Sequence, residues 1–171
     1  IRLGEESIKA DLKIKLVFFA SKFLENSCGI QLLNQLAEKG LNLVLVARRE
    51  ELMVELAQKI QSKYPVEVRI IALDLAKEGF YNELAEKTSD LDIGLIVNNA
   101  GMNLEGHFYR GDLDRNIQMI RLNMEAPFTI AYEMGKKFIE RGKGGIIFTA
   151  SSSSFQATPY LSHYGATKAY L

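Results

Sequence analysis

The chain has 171 residues, 47% hydrophobic and 25% charged, enough for one domain with a proper core. Its 21 basic and 21 acidic side chains cancel to a formal net charge of zero, so neither a basic stripe for nucleic acid nor a charged tail is expected. The single cysteine, Cys28, excludes an internal disulfide and fits a reducing, cytoplasmic setting.

The chain opens on Ile1 rather than Met, which fits a trimmed or incomplete N-terminus. Leu16 to Ala20 is an apolar run too short to span a bilayer, and its flanks lack signal-peptide character, so it reads as a strand. Ile30, Leu33, Leu36 and Ala37 recur at helical spacing, and Gly40 closes that stripe as a C-terminal cap. Leu43-Val44-Leu45-Val46 is a second apolar run, suited to a strand buried on both faces of a parallel sheet. Leu52, Leu56 and Ile60 form another helical stripe, and Val66, Val68, Ile70 and Ala72 alternate as a strand ending at Asp74. Leu95-Ile96-Val97 is the next buried strand. A long helix follows, with Ile117, Ile120, Met124, Phe128, Ala131 and Phe138 read as its core-facing stripe. Ile146-Ile147-Phe148 is the last strand, the serines from Ser151 to Ser154 mark a loop, and a final helix begins near Leu161. This alternation argues for an α/β, doubly wound parallel sheet in the order 3-2-1-4-5, a single domain over residues 1–171 without internal repeat or linker.

Tyr164 and Lys168 stand four apart, on one face of that final helix. An ammonium close to a phenol stabilises the phenolate, so a tyrosine placed this way can exchange a proton with a substrate oxygen. Alone the pair is weak, because a packing tyrosine beside a solvated lysine has the same spacing. Upstream, Leu95-Ile96-Val97-Asn98-Asn99-Ala100-Gly101 opens a buried strand into two asparagines and a small-residue turn. Asparagines at a strand end hold neighbouring backbone groups, and Ala-Gly lets a flat ligand approach the main chain. Ser151 stands thirteen residues before Tyr164, and Asn123 twenty-eight before Ser151. Together these features closely resemble the short-chain dehydrogenase/reductase family, in its short single-domain type, from about Leu41 to Leu171.

The resemblance implies a Rossmann-like, dinucleotide-binding domain and an NADP-dependent oxidoreductase. Such an enzyme moves a hydride between nicotinamide and a small-molecule carbonyl or secondary alcohol. Tyr164 would be the general acid/base. Lys168 would ease its ionisation and hold the nicotinamide ribose, and Ser151, rather than its neighbour Ser152, would hydrogen-bond the substrate oxygen. Asn98, Ala100 and Gly101 would line the cofactor cleft at the switch point of the sheet, together with Tyr164 and Lys168. Asn123 has a physical case as well. Pro127, four residues on, has no N–H, so the carbonyl of Asn123 loses its intrahelical partner and can hold a water. In the family the equivalent asparagine anchors the water that links the lysine to solvent. Arg48 and Arg49 follow the second strand, where arginine suits a 2′-phosphate and an acidic residue a ribose hydroxyl. Arg48 falls nineteen residues after Gly29, near the expected offset, so NADP is favoured over NAD. Asp74, with Leu75, matches the family position that contacts adenine; it reads equally well as a helix N-cap for a segment beginning near Lys77.

The phosphate loop departs from the pattern. The family has Thr-Gly, three residues and Gly-x-Gly, whose glycines bring backbone close to the pyrophosphate. Here the first strand runs into Phe18-Phe19-Ala20-Ser21, Lys22 to Cys28 reads as an insertion, and Gly29-Ile30 alone survives, with Gln31 where the last glycine belongs. The chain also stops three residues past Lys168. The domain is therefore expected to be truncated after the Tyr-x-x-x-Lys helix begins, with its C-terminal part missing and the strand from Ile146 left as an open sheet edge. Two functional readings follow: a reductase, or a catalytically impaired fragment or pseudoenzyme that keeps the fold for binding or assembly and holds dinucleotide poorly. A sugar-nucleotide epimerase shares Tyr-x-x-x-Lys, but Asn-Asn-Ala-Gly and the Ser151 spacing argue against it. His107 and His163 lack partners at ligand spacing, so no metal is expected. No nucleic-acid or membrane partner is expected either, and the full-length protein is expected to be a homo-oligomer.

Overall fold

The computed structural model describes residues 15–19 and 28–171. Segment 20–27, which holds most of the inserted loop, and the side chains of Phe18 and Phe19 lie outside the described residues. Five strands form one sheet: β1 (Lys15–Phe19), β2 (Asn42–Ala47), β3 (Val68–Ala72), β4 (Ile93–Asn98) and β5 (Gly145–Phe148). Every pairing is parallel and the order is β3-β2-β1-β4-β5, as the alternation of elements predicts. From β1 in the centre the strands wind outward to β3, then cross back over β1 to β4. The winding reverses between β1 and β4, and beyond their carboxyl ends such sheets leave a crevice.

Helices cover both faces, which is why the strands are apolar on both. On one side lie α1 (Cys28–Glu38) and α2 (Glu50–Gln61), burying Leu33, Leu36, Met53, Leu56 and Ile60 against Leu43, Leu45 and Val97. On the other lie α3 (Phe80–Lys87) and α5 (Ala126–Glu140), burying Phe80, Leu84, Ile130, Met134 and Phe138 against Val44, Val46 and Ile96. Successive residues of β2 thus point into opposite cores, the period-two geometry of a strand. α4 (Leu113–Ile120) runs through a π-helical turn, Arg121–Glu125, directly into α5, and α6 (Ser162–Tyr170) closes the described chain. No helix among the described residues is long and apolar enough to cross a membrane.

Two expectations need correction. The long helix does not face the core with the stripe read from sequence: Ile117, Ile120 and Phe128 are exposed, Met124 and Ala131 are half-buried, and only Phe138 is buried as expected. The buried face is Met119, Leu122, Asn123, Ala126, Ile130 and Met134. The helix carries apolar side chains on two sides, and the sheet selects the side richer in small and polar residues. The segment after β3 also differs. Its helix begins at Phe80 rather than near Lys77, and Asp74 caps a local turn instead, its Oδ1 accepting the Ala76 N–H at 3.0 Å.

Candidate active site

β4 delivers the first group. Past its last residue the pairing with β5 continues, the Thr149 N–H donating to the Asn98 carbonyl at 2.9 Å. The Asn98 side chain is buried, and its Nδ2 has no hydrogen-bond partner among the described residues. An unpaired buried amide N–H costs about 1–3 kcal/mol, so such groups call for a reason. Ala100 packs against the α3–α5 core. Gly101 follows as the close approach: a Cβ there would stand 3.2 Å from Lys168 Nζ and 3.3 Å from Asn123 Oδ1.

Asn123 sits in the π turn, fully buried, with both ends of its amide in use. Oδ1 accepts the Met102 N–H at 2.8 Å, while Nδ2 donates to the Met102 carbonyl at 2.9 Å and to Thr167 Oγ1 at 2.9 Å. One side chain therefore fixes the strand-end loop and α6 to the same helix. The wide turn is closed by the Ala126 N–H bonding the Arg121 carbonyl, five residues back. Pro127 follows directly, and its missing N–H leaves the continuous helix one donor short at this bend.

The serines after β5 fold into a 3₁₀ turn, Ser152–Ser154, rather than an open loop. Ser151 caps it: its Oγ accepts the Ser153 N–H at 3.2 Å, and its own N–H donates to Ser154 Oγ at 3.3 Å. Because Ser151 Oγ only accepts in this turn, its O–H proton is left to donate elsewhere. The turn packs directly on α6, which presents Tyr164 half-buried and Lys168 buried, four residues apart as predicted. Lys168 Nζ donates to the Thr149 carbonyl at 2.8 Å, and burial pushes its pKa below the ordinary 10.5. Thr167 Oγ1 donates to the Tyr164 carbonyl at 2.8 Å while accepting from Asn123.

The structure thus gathers Asn98, Gly101, Asn123, Ser151, Tyr164 and Lys168 at the carboxyl ends of β4 and β5. Arg48 and Asp74 meet at the neighbouring ends of β2 and β3, forming an exposed ion pair at 3.9 Å, with Leu75 buried beside it. Gly29 is buried in the first turn of α1, but the Ile30 side chain lines a groove between α1 and α2 with Asn34, Leu52 and Leu56. His163 is a satisfied residue, its Nδ1 2.8 Å from Asn116 Oδ1. Asn116 Nδ2 donates to the Asp112 carbonyl, so Oδ1 faces the ring and the proton belongs on Nδ1. Sequence reasoning missed Thr149, Met102, Thr167 and Gly165. Thr167 and Gly165 lie inside the Tyr-x-x-x-Lys span, and only their three-dimensional partners distinguish them.

Comparison with known proteins identifies the family. The family model for short chain dehydrogenases matches residues 26–171. The chain belongs to the short-chain dehydrogenase/reductase family. It is 33% identical over 141 residues to very-long-chain 3-oxoacyl-CoA reductase of Rattus norvegicus, covering 80% of this chain and 45% of that protein. Among solved structures, the bulky-bulky ketone specific alcohol dehydrogenase from Comamonas testosteroni superposes with a TM-score of 0.81 at 29% identity, covering 90% of this chain and 62% of that one. A short-chain dehydrogenase from Sphingobium yanoikuyae in complex with NADPH gives 0.81 at 27% identity, over 90% and 60%. The chain spans about half the length of the curated relatives it matches.

Proposed function

We propose that the protein is an NADP-dependent oxidoreductase acting on a carbonyl or secondary alcohol, with Tyr164 as its general acid/base. The observation that carries this reading is the buried Lys168. A cation is set in the interior beneath Gly101, four residues from Tyr164, and among the described residues it bonds a main-chain carbonyl, that of Thr149, rather than a carboxylate. A buried ammonium without a carboxylate is costly, and structural packing alone does not require one.

The residues present suit a nicotinamide dinucleotide. Gly101 leaves room for the Lys168 ammonium and the Asn123 amide against the strand end, the orphaned Asn98 amide is a donor in want of an acceptor, and Lys168 offers charge for a ribose hydroxyl. Arg48, beside Asp74 and Leu75, suits a 2′-phosphate, which favours NADP over NAD. Gly29 and Ile30, in the first turn of α1, would meet the pyrophosphate through their main chain. When bound, the cofactor supplies or accepts the hydride. The chain's own residues do the rest. Ser151 donates to the substrate oxygen, which holds the reacting carbon and offsets alkoxide character as it develops. Tyr164 gives its proton to that oxygen in reduction and takes it back in oxidation. Lys168 favours the phenolate left behind, and the Asn123 carbonyl holds the water through which the proton is replaced from solvent.

The proposal is tested with Tyr164→Phe in the full-length protein. Turnover falls by about 10²–10⁴-fold, the range for a lost acid/base group, while NADPH affinity is unchanged. Retained turnover would remove Tyr164 from the chemistry.

A further inference from the structure

A glycine inside a helix is disfavoured by roughly 0.5–1 kcal/mol relative to alanine. α6 carries one at Gly165, directly after Tyr164, and space explains it. A Cβ at Gly165 would stand 2.9 Å from the main-chain carbonyl oxygen of Ser153, closer than such atoms pack. The obstacle is backbone, in a turn whose ends are tied together. Ser151 Oγ accepts the Ser153 N–H, Ser154 Oγ accepts the Ser151 N–H, and the Ser154 N–H donates to the Ser151 carbonyl at 3.0 Å. The carbonyl of Ser153 cannot yield without carrying Ser151 with it. α6 has no easy retreat either, because Thr167 is bonded to Asn123 and Lys168 to Thr149. Gly135, inside α5, has nothing within 4 Å of its own Cβ position. The close approach is therefore a property of Gly165 that the helical Gly135 does not share.

We infer that Gly165 is a positioning residue, whose missing side chain sets the spacing between the Ser151 and Tyr164 hydroxyls. The inference rests on the roles proposed above for those two residues. A methyl group at this place wedges the serine turn away from α6, so the two hydroxyls no longer address one substrate oxygen. Arg48, Asn98 and Gly101, which would contact the dinucleotide, belong to other segments than the serine turn that moves.

The test compares Gly165→Ala with Gly135→Ala in the full-length protein. Gly135→Ala melts at or above the wild type, as helix preference dictates, with unchanged turnover. Gly165→Ala melts below it despite the same preference. Its kcat falls by about tenfold to a hundredfold, the scale of a misplacement near 1 Å, with the NADPH dissociation constant unchanged. Should Gly165→Ala not fold, the double variant Gly165→Ala/Ser153→Gly carries the test: it relaxes the obstructing turn, restores folding and keeps the kcat deficit. A Gly165→Ala protein that melts at or above the wild type, or keeps full kcat, overturns the inference. A wild type without turnover on any carbonyl or alcohol sinks the reductase reading instead, and the melting temperatures still decide whether the contact is tight.

Discussion

Replacing Thr167 by Val should destabilise the protein more than replacing it by Ser, although Val preserves more of its shape. Thr167 is fully buried, and its hydroxyl accepts from Asn123 Nδ2 at 2.9 Å while donating to the Tyr164 carbonyl at 2.8 Å. Val leaves one buried Asn123 N–H without an acceptor, a cost of about 1–3 kcal/mol. Ser keeps the hydroxyl and loses one methyl group, a cost of about 0.5–1.5 kcal/mol for a core deletion of that size. Urea unfolding of the two variants, with midpoint and slope fitted separately, gives the order directly. A cycle with Asn123→Ala isolates the bridge, because Thr167→Val should lose most of its effect once the amide is gone. A Ser variant as unstable as the Val variant, or an unchanged Val effect in the Asn123→Ala background, would refute the claim that this hydroxyl joins α6 to the π turn.

Arg48→Asp in the full-length protein should shift cofactor preference from NADP towards NAD. Loss of a charge-assisted contact is worth roughly 1.5–3 kcal/mol, about one to two decades in the ratio of dissociation constants, and an unchanged ratio would show that Arg48 serves only its ion pair with Asp74. Lys168 makes stability depend on pH. Its folded pKa lies below the ordinary 10.5, so between those two values the unfolded chain binds the extra proton and stability rises with pH. Lys168→Met should lack that rise, seen as an unfolding free-energy difference between wild type and variant that grows in the wild type's favour as the solution is made alkaline. Parallel curves would contradict it.

Much of the fold was legible because the strands of a doubly wound sheet are apolar on both faces. Leu43 to Val46 and Leu95 to Val97 could be little else, and the short helices between them left few topologies. The face of the long helix was not legible. Ile117, Ile120 and Phe128 are the bulkier apolar residues, whereas the sheet buries a side that includes Asn123, Ala126 and Pro127, types that carry little hydrophobic signal. In the candidate site, Tyr164, Lys168, Ser151 and Asn123 were proposed from type, spacing and the family resemblance, and the fold brings them to one end of the sheet. Thr167 and Gly165 were not, because their importance comes from a buried amide forty-four residues away and from a main-chain carbonyl on another segment. Asp74 was readable only as far as its ability to cap. Which backbone it caps is decided by where the following helix starts.

The π turn at Arg121–Glu125 makes chain length at this point as constrained as chemistry. An α-helix advances about 100° per residue, so removing one residue here to give a regular helix would rotate everything before it relative to α5. Met119, now buried, and Asn116, now bonded to His163 beside Tyr164, would swing off α6, and the solvent-facing Leu113 and Ile117 would turn with them. A single deletion would thus undo contacts on both sides of the bend at once, without changing the identity of any residue that remains. Descendants of this sequence can exchange many side chains along the helix, but the count of residues between Asp112 and Pro127 should hold.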